Sequence, residues 1–578
     1  MNQTVIQYVL SRLKDHGISD IFGVPGDYVY PVLDGILDDP ELEWRGNCNE
    51  LNAGYAADGY ARTKGLGAFC TTYGSELGSY LATAGAYGEF SPVIMMTGYP
   101  SIGQQASGES WHHMLGNHEY SLFNEMGRPM TAGGDAVAIL SPENCVAEFE
   151  RVLAAVLYHK QPGILAFPSD LVHQSIVDTS VPENIPLRNP QSDPVALQRA
   201  VDHIVSMMSN AKKACVIPGI KVRRAGLTEL ASQVITSKNL PYTTAFQDKC
   251  TLDERTPGFM GIWLGRFTNL VVEEFVASCD CILGLGPERH YFNAGFFTTQ
   301  FDRNNSINVQ LHNVRVGSAE YQNVEMEDVL QALLARLPEY DDMGAPSRVT
   351  PYTEITGGGD DPIDAGNPFY ARIAEFLKPG DILIGDPGSP GLACNFLALP
   401  EGVGYESQAL AASIGWGTPT AVGVAVGAPD RRVVQVGGEG SHQLTAQEIG
   451  QFYKFGLKPV FITINNDGYL VERYTCRDPE ATYNDLPQWQ YSKLPEVFGC
   501  EDWYCVKVTT TSELDAALEK ANSCDTGVYI EVITDRYSMP PSSEVMFELT
   551  RPKFDQKITW DEWYSEFQKG NNVLAPKL

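Results

Sequence analysis

The sequence is short of positive charge: 41 Lys and Arg stand against 72 Asp and Glu in 578 residues, a net charge of −31. Such a surface repels the phosphates of nucleic acid, so no nucleic-acid partner is expected. Paired cysteines are missing as well. Twelve cysteines are scattered without a CxxC, the closest being Cys279 and Cys281; that is neither zinc spacing nor a disulfide framework. Free, buried thiols in a reducing, cytoplasmic setting are the expectation. The N-terminus, MNQTVIQYVLSRLKDHG, lacks the apolar core of a signal peptide and reads as an amphipathic helix. One uncharged stretch, 407–429, is long enough for a membrane span. Its glycines and prolines suit a tightly packed interior segment instead, and no membrane partner is expected.

The chain is too long for a single core, and three αβ-rich regions emerge. Over 1–180 the runs DIFGVPG, LGAFCTTYG, SPVIMMTGYP and QPGILAFPSD are short, partly β-branched and closed by Gly or Pro, as parallel strands buried on both faces should be. KACVIPGI, LPYTTAF, CDCILGLGP and SINVQLH repeat the pattern over 190–345. DILIGDPG, RRVVQVGGEG, KPVFITINND and TGVYIEVIT do so over 360–545, leaving a tail at 546–578. Pro-, Asn- and Gly-rich linkers separate the regions. The predicted architecture is α/β, three consecutive doubly wound domains with largely parallel sheets.

The third region carries the chemistry. Gly438-Glu439-Gly440 closes a buried run and is followed, after 24 residues, by Asn465-Asn466-Asp467-Gly468-Tyr469. The intervening SHQLTAQEIGQFYKFGLKP reads as a helix and VFITI as a strand. In a right-handed βαβ unit both turns fall at the carboxyl ends of their strands. A carboxylate and an amide then meet beside a helix N-terminus, where phosphate and a hard cation are favoured. Either turn alone is an ordinary turn; together they predict a metal–diphosphate site.

These residues resemble the thiamine-diphosphate signature of the 2-oxo acid decarboxylase family, closest to its pyruvate, indolepyruvate and branched-chain members. GSHQLTAQEI and INNDGYLVE carry the likeness, as do NELNAGYAADGYAR and YESQALAASIGWG. The resemblance implies thiamine diphosphate and Mg²⁺ as cofactors, with 1–180 binding the aminopyrimidine, 190–345 in the middle and 360–545 binding the diphosphate. It implies metal ligands in Glu439, Asn466 and the Gly468 carbonyl, and diphosphate contacts from Ser389, Ser441, Gly438 and Gly440. Ile414 would bend the cofactor and the Ala412 carbonyl would accept from its 4′-amine. Glu50 would be the acid at N1′ of the aminopyrimidine; Asp27, His112 and His113 would handle protons, and Glu472 would sit by the departing carboxylate. The implied reaction turns a 2-oxo acid into an aldehyde and CO₂. Because the Glu50 and Glu439 regions belong to different domains, the family builds each site between two subunits, so a homodimer at least, and a homotetramer by family habit, is implied.

Two departures matter. The family's Asp is Glu439 here, about 1.5 Å longer in reach, which brings in Ca²⁺ or Mn²⁺ as alternative metals. Gly391 stands where some pyruvate-specific members place a bulky aromatic, beside the unusual Pro387 and Pro390, and predicts a pocket for larger, aromatic or branched 2-oxo acids. A carboligase on the same scaffold and a non-catalytic regulatory relative are the alternative readings, and an FAD-bearing synthase a more distant one.

Overall fold

The computed structural model describes residues 3–540 and Ser543, apart from 186, 266–269, 300, 350, 351, 353 and 477. The tail expected over 546–578 lies outside the described residues.

Three sheets follow one another along the chain. The first holds β1 (Asp20–Gly23), β2 (Glu43–Gly46), β3 (Gly67–Thr72), β4 (Val93–Tyr99), β5 (Val137–Ile139) and β6 (Gly163–Pro168), in the order β2-β1-β3-β4-β6-β5 and parallel throughout. The second holds β7 (Ala214–Pro218), β8 (Tyr242–Thr244), β9 (Phe259–Ile262), β10 (Cys281–Leu285), β11 (Ser306–Val309), β12 (Asn313–Val316) and β13 (Ala319–Gln322). Its order is β13-β12-β11-β10-β7-β8-β9, with β12 and β13 added antiparallel at one edge. The third holds β14 (Ile382–Gly385), β15 (Gly404–Ser407), β16 (Val433–Gly438), β17 (Val460–Asn465), β18 (Tyr504–Val508) and β19 (Val528–Ile533), in the order β15-β14-β16-β17-β19-β18. Counted within each domain, the first and third sheets have the same strand order, and both are all-parallel. The three-domain α/β expectation holds.

The expected N-terminal helix is Val5–Asp15, started by a capping box between Thr4 and Gln7. All twelve cysteines are free. Among the described residues no helix is long and apolar enough to cross a membrane. The uncharged stretch supplies the helix Gly417–Gly427, almost wholly buried.

That helix crosses Glu50–Lys64, which Asn49 caps by accepting from the Asn52 N–H and which Gly65 ends in the left-handed region at φ 88°. The crossing is backbone on backbone. A Cβ at Gly423 would stand 1.8 Å from the Ala56 carbonyl oxygen, and one at Gly59 2.2 Å from that of Thr420. Glycine is the one residue that lets the two helices come this close, and the crossing fixes the first domain against the third.

One element differs from expectation. The single helix foreseen after Gly440 is three pieces: Glu439–His442, a 3₁₀ turn Ala446–Glu448, and Ile449–Lys454. Side chains at the break are drawn to neighbours: the Thr445 hydroxyl donates to the Gly415 carbonyl (2.7 Å), and Glu448 turns to Asn47 and Asn52.

Gly423→Ala is expected to lower stability by roughly 1–3 kcal/mol or more through overpacking at the crossing, read as an earlier urea transition in tryptophan fluorescence. A variant that unfolds with the wild type would show that the helices have slack there.

Candidate active site

β14, β16 and β17 lie side by side and end at one edge of the third sheet, with Gly385 level with Val436 and Gly438 with Ile464. The strand order reverses between β14 and β16, the place where open α/β sheets bind ligands. A cleft of about 640 Å³, its open mouth included, lies there. Pro387, Gly388, Ser389, Ile414, Gly438, Glu439, Gly440, Ser441, Asn466, Gly468 and Glu472 all line it.

Glu439 is 1% exposed at the end of β16. Its Oε1 accepts from the backbone N–H of Asn466 (3.1 Å) and of Gly468 (2.9 Å), so the carboxylate spans to the neighbouring strand's turn. Burial pushes its carboxyl up to about 7, against the pull of those amides. The Asn466 amide end lies 3.1 Å from Glu439 Oε1 and 2.9 Å from the Gly468 carbonyl oxygen. With its nitrogen inward it makes two hydrogen bonds. With its oxygen inward, three oxygens converge with no donor between them, which a hard divalent cation satisfies.

Two further features fit a phosphate group. The Ser389 hydroxyl is buried without a partner, and a Cβ at Gly438 would project into open space. Gly440 is glycine for another reason: a Cβ there would stand 2.6 Å from the Tyr469 ring. Ser441 lines the cleft with its hydroxyl donating to Asp386 and accepting from the Gly415 N–H at 2.7 Å. Ala412, on the turn before Ile414, is held left-handed at φ 47°, a strained conformation for a residue with a Cβ, and does not line the cleft.

Glu50, Asp27, His112 and His113 do not line this cleft either. They gather around the turn after β3. Glu50 opens its helix over Gly78, and Gly74 leaves room for the His113 carbonyl, which a Cβ would meet at 2.4 Å. His113 itself is left-handed at φ 68°. Asp27 Oδ2 lies 2.8 Å from His112 Nε2, the side chains 48% and 54% exposed. Tyr28 stacks on His112 with its hydroxyl 3.3 Å from Nδ1. With the Nε2–H donating to Asp27, Nδ1 accepts from Tyr28, which fixes the ring tautomer. The expected site residues therefore fall in two separate clusters of the chain.

Gly391 corrects the sequence reading. It lies in the helix Ser389–Cys394, where a Cβ would stand 2.5 Å from the Asp386 carbonyl oxygen, and it does not line the cleft. Close backbone packing demands glycine there, so it does not widen the pocket.

Sequence reasoning passed over two carboxyls. Asp386 is buried, accepts from the Gly417 N–H at 2.8 Å, and is pushed up to about 7 by burial; a lone Asp closing an apolar strand run was its signal. Glu76 is fully buried between the Gly74 and Gly78 turns, accepts from the Gly74 N–H at 2.8 Å, and is pushed up to about 8 by burial. It gave no signal, since it stands in a Gly- and Ser-rich turn, Gly74-Ser75-Glu76-Leu77-Gly78, where a carboxylate is ordinarily solvated.

Family models define the class: the N-terminal TPP binding domain of thiamine pyrophosphate enzymes matches residues 3–121, the central domain 201–337, and the C-terminal TPP binding domain 386–532. An alpha-keto-acid decarboxylase of Mycobacterium avium is 34% identical over 554 residues, covering 95% of this chain and 96% of the relative. One of Mycobacterium leprae is 32% identical over 562 residues, covering 96% of each. Among solved structures, a benzoylformate decarboxylase from Polynucleobacter necessarius shares the fold with a TM-score of 0.75 at 18% identity, covering 93% of this chain and 100% of that one. The chain belongs to the thiamine-diphosphate-dependent 2-oxo acid decarboxylases.

Glu76 yields a pH prediction. Its carboxyl sits at about 8 in the fold against an ordinary 4.5. Below 4.5 both states hold the proton and the group's contribution is fully present; as pH rises to about 8 the unfolded chain releases a proton that the fold retains, and that contribution is lost. Urea midpoints should fall between about pH 5 and about pH 8, and Glu76→Gln should flatten that slope. An unchanged slope in the variant would assign it to other groups.

Proposed function

We propose that the chain converts a 2-oxo acid to an aldehyde and CO₂ at a site built from the cleft of one copy and the Glu50 half-site of another. The observation that carries this reading is that Glu50, Asp27, His112 and His113 lie outside the cleft of their own chain while it presents the oxygen cluster and the unpartnered Ser389 hydroxyl. A homodimer is then the smallest active unit, a homotetramer two of them, in the cytoplasm.

Glu439, Asn466 and the Gly468 carbonyl would hold a divalent cation, Mg²⁺ first, with Ca²⁺ or Mn²⁺ admitted by the longer reach of Glu439. Ser389, Gly438, Gly440 and Ser441 would border the diphosphate, and Ile414 and Ala412 the aminopyrimidine side, so that 360–545 serves the diphosphate and 1–180 the aminopyrimidine. Thiamine diphosphate, when bound, supplies a carbon nucleophile and a sink for the electron pair left by CO₂. Glu50 would hold the proton at N1′ of the aminopyrimidine. Asp27 orients His112 through its Nε2–H, and with His113 this pair would carry the proton that ends at the product carbon. Glu472, at the cleft, would face the substrate carboxylate. The apolar side chains of Ile414, Ile464, Leu470 and Val471 exclude water, and a dry wall favours loss of the charged carboxylate. Such walls suit an apolar substrate side chain, and Gly391 is no ground for the preference for larger 2-oxo acids.

The test is aldehyde formation from pyruvate, 2-oxoisovalerate, phenylpyruvate and indolepyruvate, with and without thiamine diphosphate and Mg²⁺. Cofactor-dependent aldehyde with larger acids ranked above pyruvate is expected; pyruvate ranked first would overturn the size preference. Glu439→Gln should weaken cofactor binding at least about tenfold, since it removes the charge from the metal cluster, read by quenching of protein fluorescence. Mixing inactive Glu50→Gln with inactive Glu439→Gln protein should restore part of the activity if sites form between copies. Mixtures that stay silent, after exchange of subunits is shown by mass, would sink the two-chain site.

A further inference from the structure

Glu50 and His113 lie on either side of one short turn. After β3 the chain passes through Gly74 at φ 77° into a 3₁₀ turn, Ser75–Ser79. The His113 backbone presses on Gly74, where a Cβ would stand 2.4 Å from its carbonyl oxygen and 2.7 Å from its Cβ. Gly78 lies beside Glu50, whose Oε2 would be 3.7 Å from a Cβ there. The turn therefore separates the two residues and sets the distance between them.

Glu76 fastens this turn from within. It is fully buried. Its Oε2 accepts from the Gly74 N–H at 2.8 Å, and its Oε1 accepts from the Tyr99 hydroxyl at 3.4 Å. At the other end its backbone carbonyl accepts from the Ser79 hydroxyl at 2.7 Å. The titratable groups that face the carboxyl are Tyr73 after β3, Tyr99 on β4, and Tyr80 on the helix Tyr80–Gly88. No cation pairs with it among the described residues. An ionised carboxylate is costly in such a box, and an apolar side chain of similar size would pack there without that cost. What the acid adds is a fixed hold on the Gly74 N–H.

We propose that Glu76 is a positioning residue for the reaction: through Gly74 it seats His113, and through the turn it keeps Glu50 at its distance from His113. It acts through these two residues and not on the reacting atoms, and its role rests on the reading that they serve one site. Glu76 does this as a neutral acid. Burial keeps its proton in place up to about pH 8. Above that pH the carboxyl ionises with no cation to meet it, and the hold on the turn weakens.

The experiment is steady-state kinetics of the full-length protein with thiamine diphosphate and Mg²⁺, for the wild type, Glu76→Ala and Glu76→Gln. Glu76→Ala should lower kcat at least about tenfold, with KM and cofactor affinity within about twofold, because the cleft is untouched. Glu76→Gln keeps the shape and an acceptor oxygen, and should return kcat to within about threefold of the wild type. Its kcat should hold as pH rises through about 8, where that of the wild type falls. A crystal structure of Glu76→Ala should show the His113 carbonyl displaced from Gly74 by about 1 Å or more, and one of Glu76→Gln should not. Should Glu76→Ala not fold, Glu76→Asp, one methylene short of the Gly74 N–H, takes its place under the same expectations. An unchanged kcat, a loss carried by KM or cofactor affinity, or an unmoved His113 overturns the positioning role. An alkaline fall in Glu76→Gln like that of the wild type overturns the neutral acid. If the wild type makes no aldehyde, the reaction reading fails, while the displacement of His113 still decides whether Glu76 seats it.

Discussion

The guanidinium of Arg62, its side chain 1% exposed, is where the domains are held to one another. It ion-pairs with Asp58 one helical turn away (2.9 Å) and with Glu406 of the third domain (3.2 Å), and donates to the Ser407 carbonyl (2.9 Å). Trp416 stacks on it at 4.6 Å and donates its indole N–H to Asp58. Glu406 in turn binds Arg223 from the middle domain. Burial alone would raise the Asp58 and Glu406 carboxyls; their arginine partners hold both below the usual range. Arg224, buried beside them, is pushed down to about 10 by burial and by the charge of Arg62. A network like this adds little net stability, yet removing one partner strands a buried charge at a cost of about 3–5 kcal/mol. It acts as a lock on relative domain position.

What the lock positions is the segment that follows β15. Immediately after Glu406, the Leu410 N–H donates to Glu89 of the first domain, which also accepts from Gln247 of the middle domain, and Gln408 accepts from the Ser413 N–H. The strained Ala412 and the cleft residue Ile414 sit at the end of this clamped stretch. Left-handed backbone at an alanine costs about 1–2 kcal/mol and persists where the surroundings over-determine it. Here contacts from all three domains do so. The Gly59–Gly423 crossing works to the same end, because it leaves neither helix room to slide.

The interior of each sheet was legible in the sequence because its strands are buried on both faces. DIFG, GAFCTT, VIMMTGY and GILAFP in the first domain, and ILIG, VVQVGG, VFITIN and VYIEVI in the third, read as apolar runs and are strands. The strands that escaped notice, β2, β5, β15 and β18, are the outer pair of each of those sheets. EWRG and YCVKV are only partly buried at most of their positions and show no long apolar run. The same limit hid β12 and β13. At the cleft, Glu439 and Asn466 were legible as a spaced pair of turns. Gly391 was misread because a missing side chain looks alike in sequence whether a ligand or a backbone fills its place. The helix expected after Gly440 was lost because its polar side chains are claimed by residues distant in sequence, which periodicity cannot register.

The glutamate in place of the family's aspartate gains its meaning from the turn opposite. The extra methylene lets the carboxylate reach the N–H groups of both Asn466 and Gly468. Those residues flank Asp467 at φ 61°, and Gly468 itself lies at φ 143°, where a Cβ would collide with the Asn484 carbonyl at 2.4 Å. A longer acid thus fastens a left-handed turn with its own oxygen. Glu439 Oε1 is then held by those two N–H groups. The position of the Asn466 amide decides between the two uses: its nitrogen inward closes the cluster by hydrogen bonding, and its oxygen inward opens the cluster to a cation. Burial pushes the Glu439 carboxyl up to about 7, so a positive neighbour would help it stay ionised there.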